Sequence, residues 1–232
     1  MRKVGFIGAF DKTDMIINIA KILTVLKNRV IVIDSTINQK AKYVVPVINP
    51  TVTYITEYEE IDIAVGFKNI EEIKQYLGIT NDEDMPYDIM LIDTDTQERI
   101  EEFNLLEADK NFFVTSFDLY SLKKGLEILS GLKQPINLTK ILFSKEMLKE
   151  EDDYLNYLSL EYKVVWNEYR IYFPIENGDR LVLAENQRVA KIKFKKLSAQ
   201  YKDGLVFVTQ EILKDMSESN IRRTIKTIER GV

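Results

Sequence analysis

Val4-Gly5-Phe6-Ile7-Gly8-Ala9-Phe10-Asp11-Lys12-Thr13-Asp14 opens with a short apolar run, turns at a glycine and reaches Lys-Thr where a helix should begin. Just downstream, Ile16, Ile19, Ala20, Leu23 and Leu26 recur at helical spacing on one face. Val30-Ile31-Val32-Ile33 then runs apolar without alternation and ends at Asp34. Apolar runs that do not alternate with polar residues belong to strands buried on both faces of a parallel sheet. The unit is therefore strand, loop, helix, strand. It sets the fold class as α/β, with a mostly parallel central sheet and helices on both faces.

The same alternation continues along the chain. Tyr87-Asp88-Ile89-Met90-Leu91-Ile92-Asp93 reads as a further strand ending on an aspartate. Asn111–Thr115 and Lys140–Phe143 read as two more, with a helix over Leu119–Leu132 between them. Residues 43–67 are less regular: Pro46 and Pro50 break them, and Val52–Thr56 and Ile61–Val65 are extended candidates. A short helix over 69–77 stops at Gly78, and Asn81-Asp82-Glu83-Asp84 makes a polar turn. Further on, a polar helix is expected over 147–160 and extended segments at Lys163–Trp166 and Tyr169–Phe173. Helices are expected over 189–202 and 205–216, with Lys202-Asp203-Gly204 as the break, and a last one over 218–230. With no repeat, low-complexity tract or linker, residues 1–232 read as one domain, with 218–232 as a peripheral C-terminal helix.

Composition narrows the chemistry. The 232 residues are 45% hydrophobic, enough for a core, and carry a net charge of −5, which argues against a general nucleic-acid surface. Without cysteine there is no disulfide or thiolate chemistry; without histidine the usual neutral-pH base and the commonest metal ligand are missing. Any metal would be a hard cation on oxygen ligands, such as magnesium. The apolar start is too short for a signal peptide, and no window reaches the roughly 18 apolar residues of a membrane span. The expected location is cytoplasmic.

The Gly8–Asp14 loop has two readings on local pattern alone. Phosphate-binding loops use glycines to bring backbone N–H groups onto the phosphates, a lysine for the β/γ oxygens and a hydroxyl for magnesium. Here Asp11 stands where a glycine should precede the lysine, and an ordinary turn with Asp11 capping the helix explains the segment equally well. The surroundings add to this. Asn18-Ile19-Ala20 in the helix, Val30–Asp34 and Tyr87–Thr94 together resemble the ParA/MinD family of deviant P-loop ATPases over roughly the first 145 residues. That family carries Lys-Gly-Gly-Val-Gly-Lys-Thr-Thr, then Asn-Leu-Ala, a strand ending Asp-x-Asp, and a Tyr-Asp-x-x-x-x-Asp-Thr-Pro strand. The resemblance implies a P-loop NTPase fold with its nucleotide site at the carboxyl ends of the strands. It places Gly8, Lys12, Thr13, Asp34 and Asp93 in that site, with Thr13 and Asp93 holding magnesium.

The departures from the family matter as much. The signature lysine that reaches across a dimer falls on Ile7, the loop glycines on Gly8, Ala9 and Asp11, and the hydroxyl after Thr13 on Asp14. The aspartate that positions the attacking water falls on Thr36. Two unit charges about 5 Å apart interact by roughly 3 kcal/mol at an effective dielectric near 20. Asp11 and Asp14 should therefore oppose a triphosphate and offset what Lys12 and the helix N-terminus offer it. With Asp34, Asp93 and Asp95 the crevice gathers five carboxylates around one lysine, so Lys12 is a candidate counter-ion for Asp11, Asp14 or Asp93. The expectation is weak ATP and magnesium binding or none, and no hydrolysis: a pseudo-ATPase.

The function expected from this is a scaffold or localisation factor, a homodimer through the face of the old site that also engages a protein partner. Within the family, the TadZ/CpaE-type branch has altered loops and positions secretion or pilus machinery, and conjugation machinery is a third candidate, although no receiver-like N-terminal segment stands in this sequence. One alternative is an active ATPase for DNA partition or membrane-surface positioning. Another is an unrelated α/β enzyme using the acidic crevice with magnesium. Three further stretches have plainer readings. Glu185, Arg188, Lys191, Lys193, Lys195 and Lys196 read as a solvated helix face before a DNA or lipid contact. Ile221, Ile225 and Ile228 form a short apolar face that suits packing on the domain or on a partner better than shallow membrane insertion. Trp166, Tyr169, Tyr172 and Phe173 suit core packing or a partner surface.

Overall fold

A computed structural model of the chain describes residues 1–47, 51–80, 82–144 and 149–231; Pro50, Asn81 and the expected helix start at 147–148 lie outside these. The first half runs β1 (Arg2–Ile7), α1 (Thr13–Val25), β2 (Val30–Asp34), a four-residue α2 (Ala41–Val44), β3 (Tyr54–Tyr58), β4 (Ile61–Val65), α3 (Ile70–Leu77), β5 (Ile89–Thr94) and α4 (Gln97–Glu102). The second half runs β6 (Lys110–Ser116), α5 (Leu119–Ser130), β7 (Ile136–Phe143), α6 (Lys149–Leu158), β8 (Val164–Tyr172), α7 (Asn177–Val189), α8 (Ala199–Ile212) and α9 (Glu218–Glu229). The strands form one sheet in the order β3-β4-β2-β5-β1-β6-β7-β8, in which only β3 runs antiparallel to its neighbour.

Alternate strand residues feed two cores, one on each face. Val4, Phe6, Val32, Leu91, Phe112 and Val114 meet α1, α8 and α9, whereas Ile7, Ile33, Met90, Ile92 and Phe113 meet α3, α4 and α5. This is why the strands read as unbroken apolar runs: both faces are covered. Gly78 closes α3 in the left-handed conformation, as expected of a helix-ending glycine. Ile221, Ile225 and Ile228 of α9 are buried against α1 and α8, so that apolar face is already inside the protein. Phe173 is likewise a core residue, tilted against Phe143 (5.0 Å between centroids), and the half-buried Trp166 packs T-shaped on Phe113 (5.4 Å), while Tyr169 is exposed. Among the described residues no helix is long and apolar enough to cross a membrane.

The C-terminal third corrects three expectations. Lys163–Trp166 and Tyr169–Phe173 are parts of one edge strand, β8, joined through a register shift opposite Leu138–Lys140. The helix expected over 189–202 is absent. A helix instead covers Asn177–Val189 and stops at Ala190 in the left-handed conformation, and residues 191–197 run irregularly. In that stretch Ile192, Phe194 and Leu197 turn inward while Lys191 and Lys196 pair with Glu59 and Glu185. The basic stretch is therefore a helix end and an irregular segment, not one helix face. Lys202-Asp203-Gly204 is no break either: it lies inside α8.

Gly204 is required there by packing. A Cβ on it would lie 2.6 Å from the Phe173 ring. Gly→Ala in a helix interior ordinarily stabilises by about 0.5–1 kcal/mol. Gly204→Ala should do the reverse and destabilise by about 1–3 kcal/mol, because a well-packed ring must move. Urea unfolding of the two proteins checks the sign.

Candidate functional site

The sheet register brings the strand-end carboxylates together. Asp34 of β2 sits directly opposite Asp93 of β5, and Asp93 is opposite Phe6 of β1, at the start of the Gly8–Asp14 loop. Gly8 leaves β1 at φ +146°, where a Cβ would meet the Val114 carbonyl oxygen at 2.1 Å. Its glycine is thus needed for the close pass against β6, whatever lies above the loop.

Lys12 is the charge at the centre, with only 3% of its surface exposed. Its Nζ donates to the Gly8 carbonyl oxygen (2.8 Å) and lies 2.7 Å from Asp93 Oδ1. Of the partners expected for Lys12, the structure selects Asp93. The contact is an ion pair whose angles fall outside hydrogen-bond geometry, so Asp93 Oδ1 has no aligned donor. Burial pushes the Asp93 carboxyl up to about 7; Lys12 opposes that push and the neighbouring Asp34 adds to it. Asp95 is also shifted upward, chiefly by burial.

Asp34 is almost fully buried and hydrogen-bonded. Its Oδ1 accepts from the Thr36 amide (3.1 Å) and hydroxyl (2.6 Å), and its Oδ2 from the Ala41 amide (2.8 Å). Asp95 Oδ1 accepts from the Ile37 amide (2.9 Å). Together these bonds pin a tight strap, residues 35–41, across the strand ends. The strap delivers a residue that the sequence reading missed. Lys40 Nζ lies 2.6 Å from Asp11 Oδ2 and 2.7 Å from Asp14 Oδ2. Burial opposes the Lys40 charge, but Asp14 and Asp11 outweigh it and hold its pKa above the ordinary lysine value. The picture of five carboxylates around one lysine is thereby corrected: two lysines serve the cluster, and Asp11 and Asp14 do not stand unopposed.

Gly8, Lys12, Thr13 and Asp93 line one cleft of about 470 Å³, with Phe10, Asp11, Thr36, Asn38, Lys40, Tyr43 and Asp95. Asp34 and Asp14 do not line it: Asp34 faces the strap, and Asp14 turns toward α7, where Gln187 Nε2 donates to its Oδ1 (2.8 Å). The Thr13 amide, a free donor at a helix start, bonds Asp11 Oδ1 (3.2 Å). A phosphate would need these same donors, and Lys12 and the Thr13 amide already have protein partners. Among the described residues no group of three or more acidic side chains is placed to hold a metal ion. As arranged, Lys12 and the Thr13 amide are engaged by protein groups at the points where a triphosphate would contact them.

Comparison with solved structures settles the fold. The chain superposes on a protein of Borrelia burgdorferi B31 assigned to plasmid partition and solved with AMPPNP, with a TM-score of 0.59, 13% identity and coverage of 93% of this chain and 99% of that one. It superposes on a ParA family ATPase of Chlorobium tepidum TLS with a TM-score of 0.55, 15% identity and coverage of 90% and 97%. Aquifex aeolicus MinD, in its complex with MinC, gives 0.56, 15% identity and coverage of 94% and 97%. The fold is the ParA/MinD-type P-loop fold. No protein-family model matches the chain, and no curated protein sequence does.

Within the ParA/MinD-type fold, two of the departures from the family pattern, Ile7 and Thr36, have clear structural settings. Ile7 is fully buried in the core between its strand partners Thr94 and Phe113. Thr36 bonds Asp34 and accepts from the Gln39 amide (3.0 Å), which makes it a fastener of the strap.

The raised Asp93 pKa has a consequence for stability. An unfolded carboxyl titrates near 3.9. Asp93 therefore stays protonated to higher pH in the folded chain than in the unfolded one, and its own contribution to stability falls as pH rises between about 4 and 7. We expect the Asp93→Asn variant to have a flatter stability profile than wild type between pH 4 and 7. Urea midpoints measured across that range provide the check.

Proposed function

We propose that this chain is a non-hydrolysing protein of the ParA/MinD type that acts as a scaffold or localisation factor, binding ATP weakly or not at all. The observation that carries this reading is the fate of Ile7 and Thr36. The family's reacting groups at those positions must reach a nucleotide, and here one position is core and the other a turn fastener. The internal pairing of Lys12 adds support.

Action through contact surfaces is supported by what surrounds the mouth. Ile37 and Tyr43 follow β2, and Leu119 and Tyr120 follow β6; all four are 60–78% exposed at the carboxyl ends of the strands. Large apolar side chains exposed around a cleft mark a contact surface better than a solvated one. We assign this face to a homodimer, with a further protein partner, as Aquifex aeolicus MinD has in its complex with MinC.

Two measurements test the reading. Phosphate release with ATP and magnesium should stay at background. Sedimentation velocity should show a dimer with and without ATP, and Tyr43→Glu with Tyr120→Glu should shift it to monomer. ATP turnover above background, or a wild type that stays monomeric at high concentration, would overturn it.

A further inference from the structure

Two cavities meet at the mouth. The first is the strand-end cleft described above. The second, about 370 Å³, lies between α1, α7 and the ends of β7 and β8, where Phe143, Ile175, Leu183 and Tyr201 give it an apolar wall. Phe10, Asp11 and Lys40 line both cavities, so these three side chains form the wall between them. Phe10 packs tilted against Phe143 (4.6 Å between centroids), which forms the apolar part of the wall. The polar part is the Lys40 ammonium, bridging Asp11 and Asp14. Gln187 of α7 steadies Asp14 from the far side, with Nε2 at 2.8 and 3.1 Å from its two oxygens.

We propose that the Lys40–Asp11–Asp14 bridge is an autoinhibitory partition. It divides one elongated groove in two and holds, as an internal partner of carboxylates, the cation that would otherwise meet the phosphates of an anionic ligand. The proposal rests on the closed-site reading above and assigns the closure to named side chains.

The backbone on both sides of the bridge is fixed. Asp34 and Asp95 pin the strap that carries Lys40, and α1 carries Asp14 in its first turn. Only side chains need to move for the two cavities to join. Each cavity alone falls within the several-hundred-Å³ class of small-molecule sites. Joined, they offer one groove lined by Phe10, Phe143 and Tyr201 together with Lys12, Lys40 and Arg180. The bridge prevents this in two ways. It stands across the passage, and it leaves the Lys40 charge compensated: a ligand phosphate would have to displace two carboxylates from Lys40 and then sit beside them, where like charges repel by kilocalories at these distances.

The test removes the carboxylate charges and keeps their shape. Asp11→Asn with Asp14→Asn frees Lys40. By calorimetry this variant should bind tripolyphosphate, and ATP with magnesium, at least tenfold more tightly than wild type. Adding Lys40→Met to the variant should abolish the gain. Lys40→Met alone should produce none, because Asp11 and Asp14 then stand unpaired. Should Asp14→Asn unfold the protein by circular dichroism, Asp11→Asn alone is expected to give at least a threefold gain that Lys40→Met again removes. A folded variant with no gain, or a gain that survives Lys40→Met, overturns the partition while leaving the closed-site reading intact. A wild type that already binds ATP at micromolar concentration overturns both.

Discussion

A lysine ammonium held almost out of water at the carboxyl ends of four strands is the constraint from which the rest of the mouth follows. Lys12 is 3% exposed, and a charge so placed is tolerated only with a partner and bonds for its protons. Asp93 and the Gly8 carbonyl supply them. The sheet register then forces Asp34 beside Asp93, which puts two carboxylates on adjacent strands. Asp34 escapes repulsion by taking three hydrogen bonds from Thr36 and Ala41. Those bonds fold the strap, the strap sets the position of Lys40, and Lys40 answers the last two carboxylates, Asp11 and Asp14. Each step settles a charge that the previous one left over.

This order explains why the site is polar at its centre and apolar around it. A buried ion pair contributes little net stability, but the loss of one partner strands the other. Asp93 and Lys12 are therefore tied to one another. The apolar neighbours carry the stabilisation. Ile7, Phe6 and Val4 alternate between the two faces of the sheet and are fully buried, so the strand that presents the loop is anchored by the cores on both sides. A lysine at position 7 would have to leave that core. Burial of the side chain accounts for the isoleucine without reference to catalysis.

The part of the fold that could be read from sequence is the part that repeats. Unbroken apolar runs ending on Asp34 and Asp93 mark the parallel strands, and their common ends place the cleft. The pairing of Lys12 with a strand-end carboxylate was within reach for the same reason. What escaped depends on contacts without period. α7 buries little beyond Val182, Leu183, Asp179 and Asn186, so its face is too mixed to register as an amphipathic helix. Gly204 looked like a helix break because its partner, Phe173, is distant in sequence. Lys40 was missed because nothing in its local pattern marks it; its position is decided by which amides Asp34 and Asp95 collect. One signal was available: five carboxylates converging on one lysine called for a second cation, and the first lysine after β2 is Lys40.

A shared fold at 13–15% identity says where a ligand would sit and nothing about whether it does. The chemistry must come from the charges. A loop that waits for phosphate keeps positive charge uncompensated and becomes ordered when the ligand supplies the negative charge; such a loop has two states and can switch. Here Asp93 supplies it for Lys12, and Asp11 and Asp14 supply it for Lys40. A mouth neutralised by its own side chains can hold one shape without a ligand. In that shape Ile37, Tyr43, Leu119 and Tyr120 are exposed at the carboxyl ends of the strands. A switch needs differential binding between two states, whereas a scaffold needs one state well held. Under the function proposed above, the internal pairing serves the second, and it does so by the same bonds that divide the cleft.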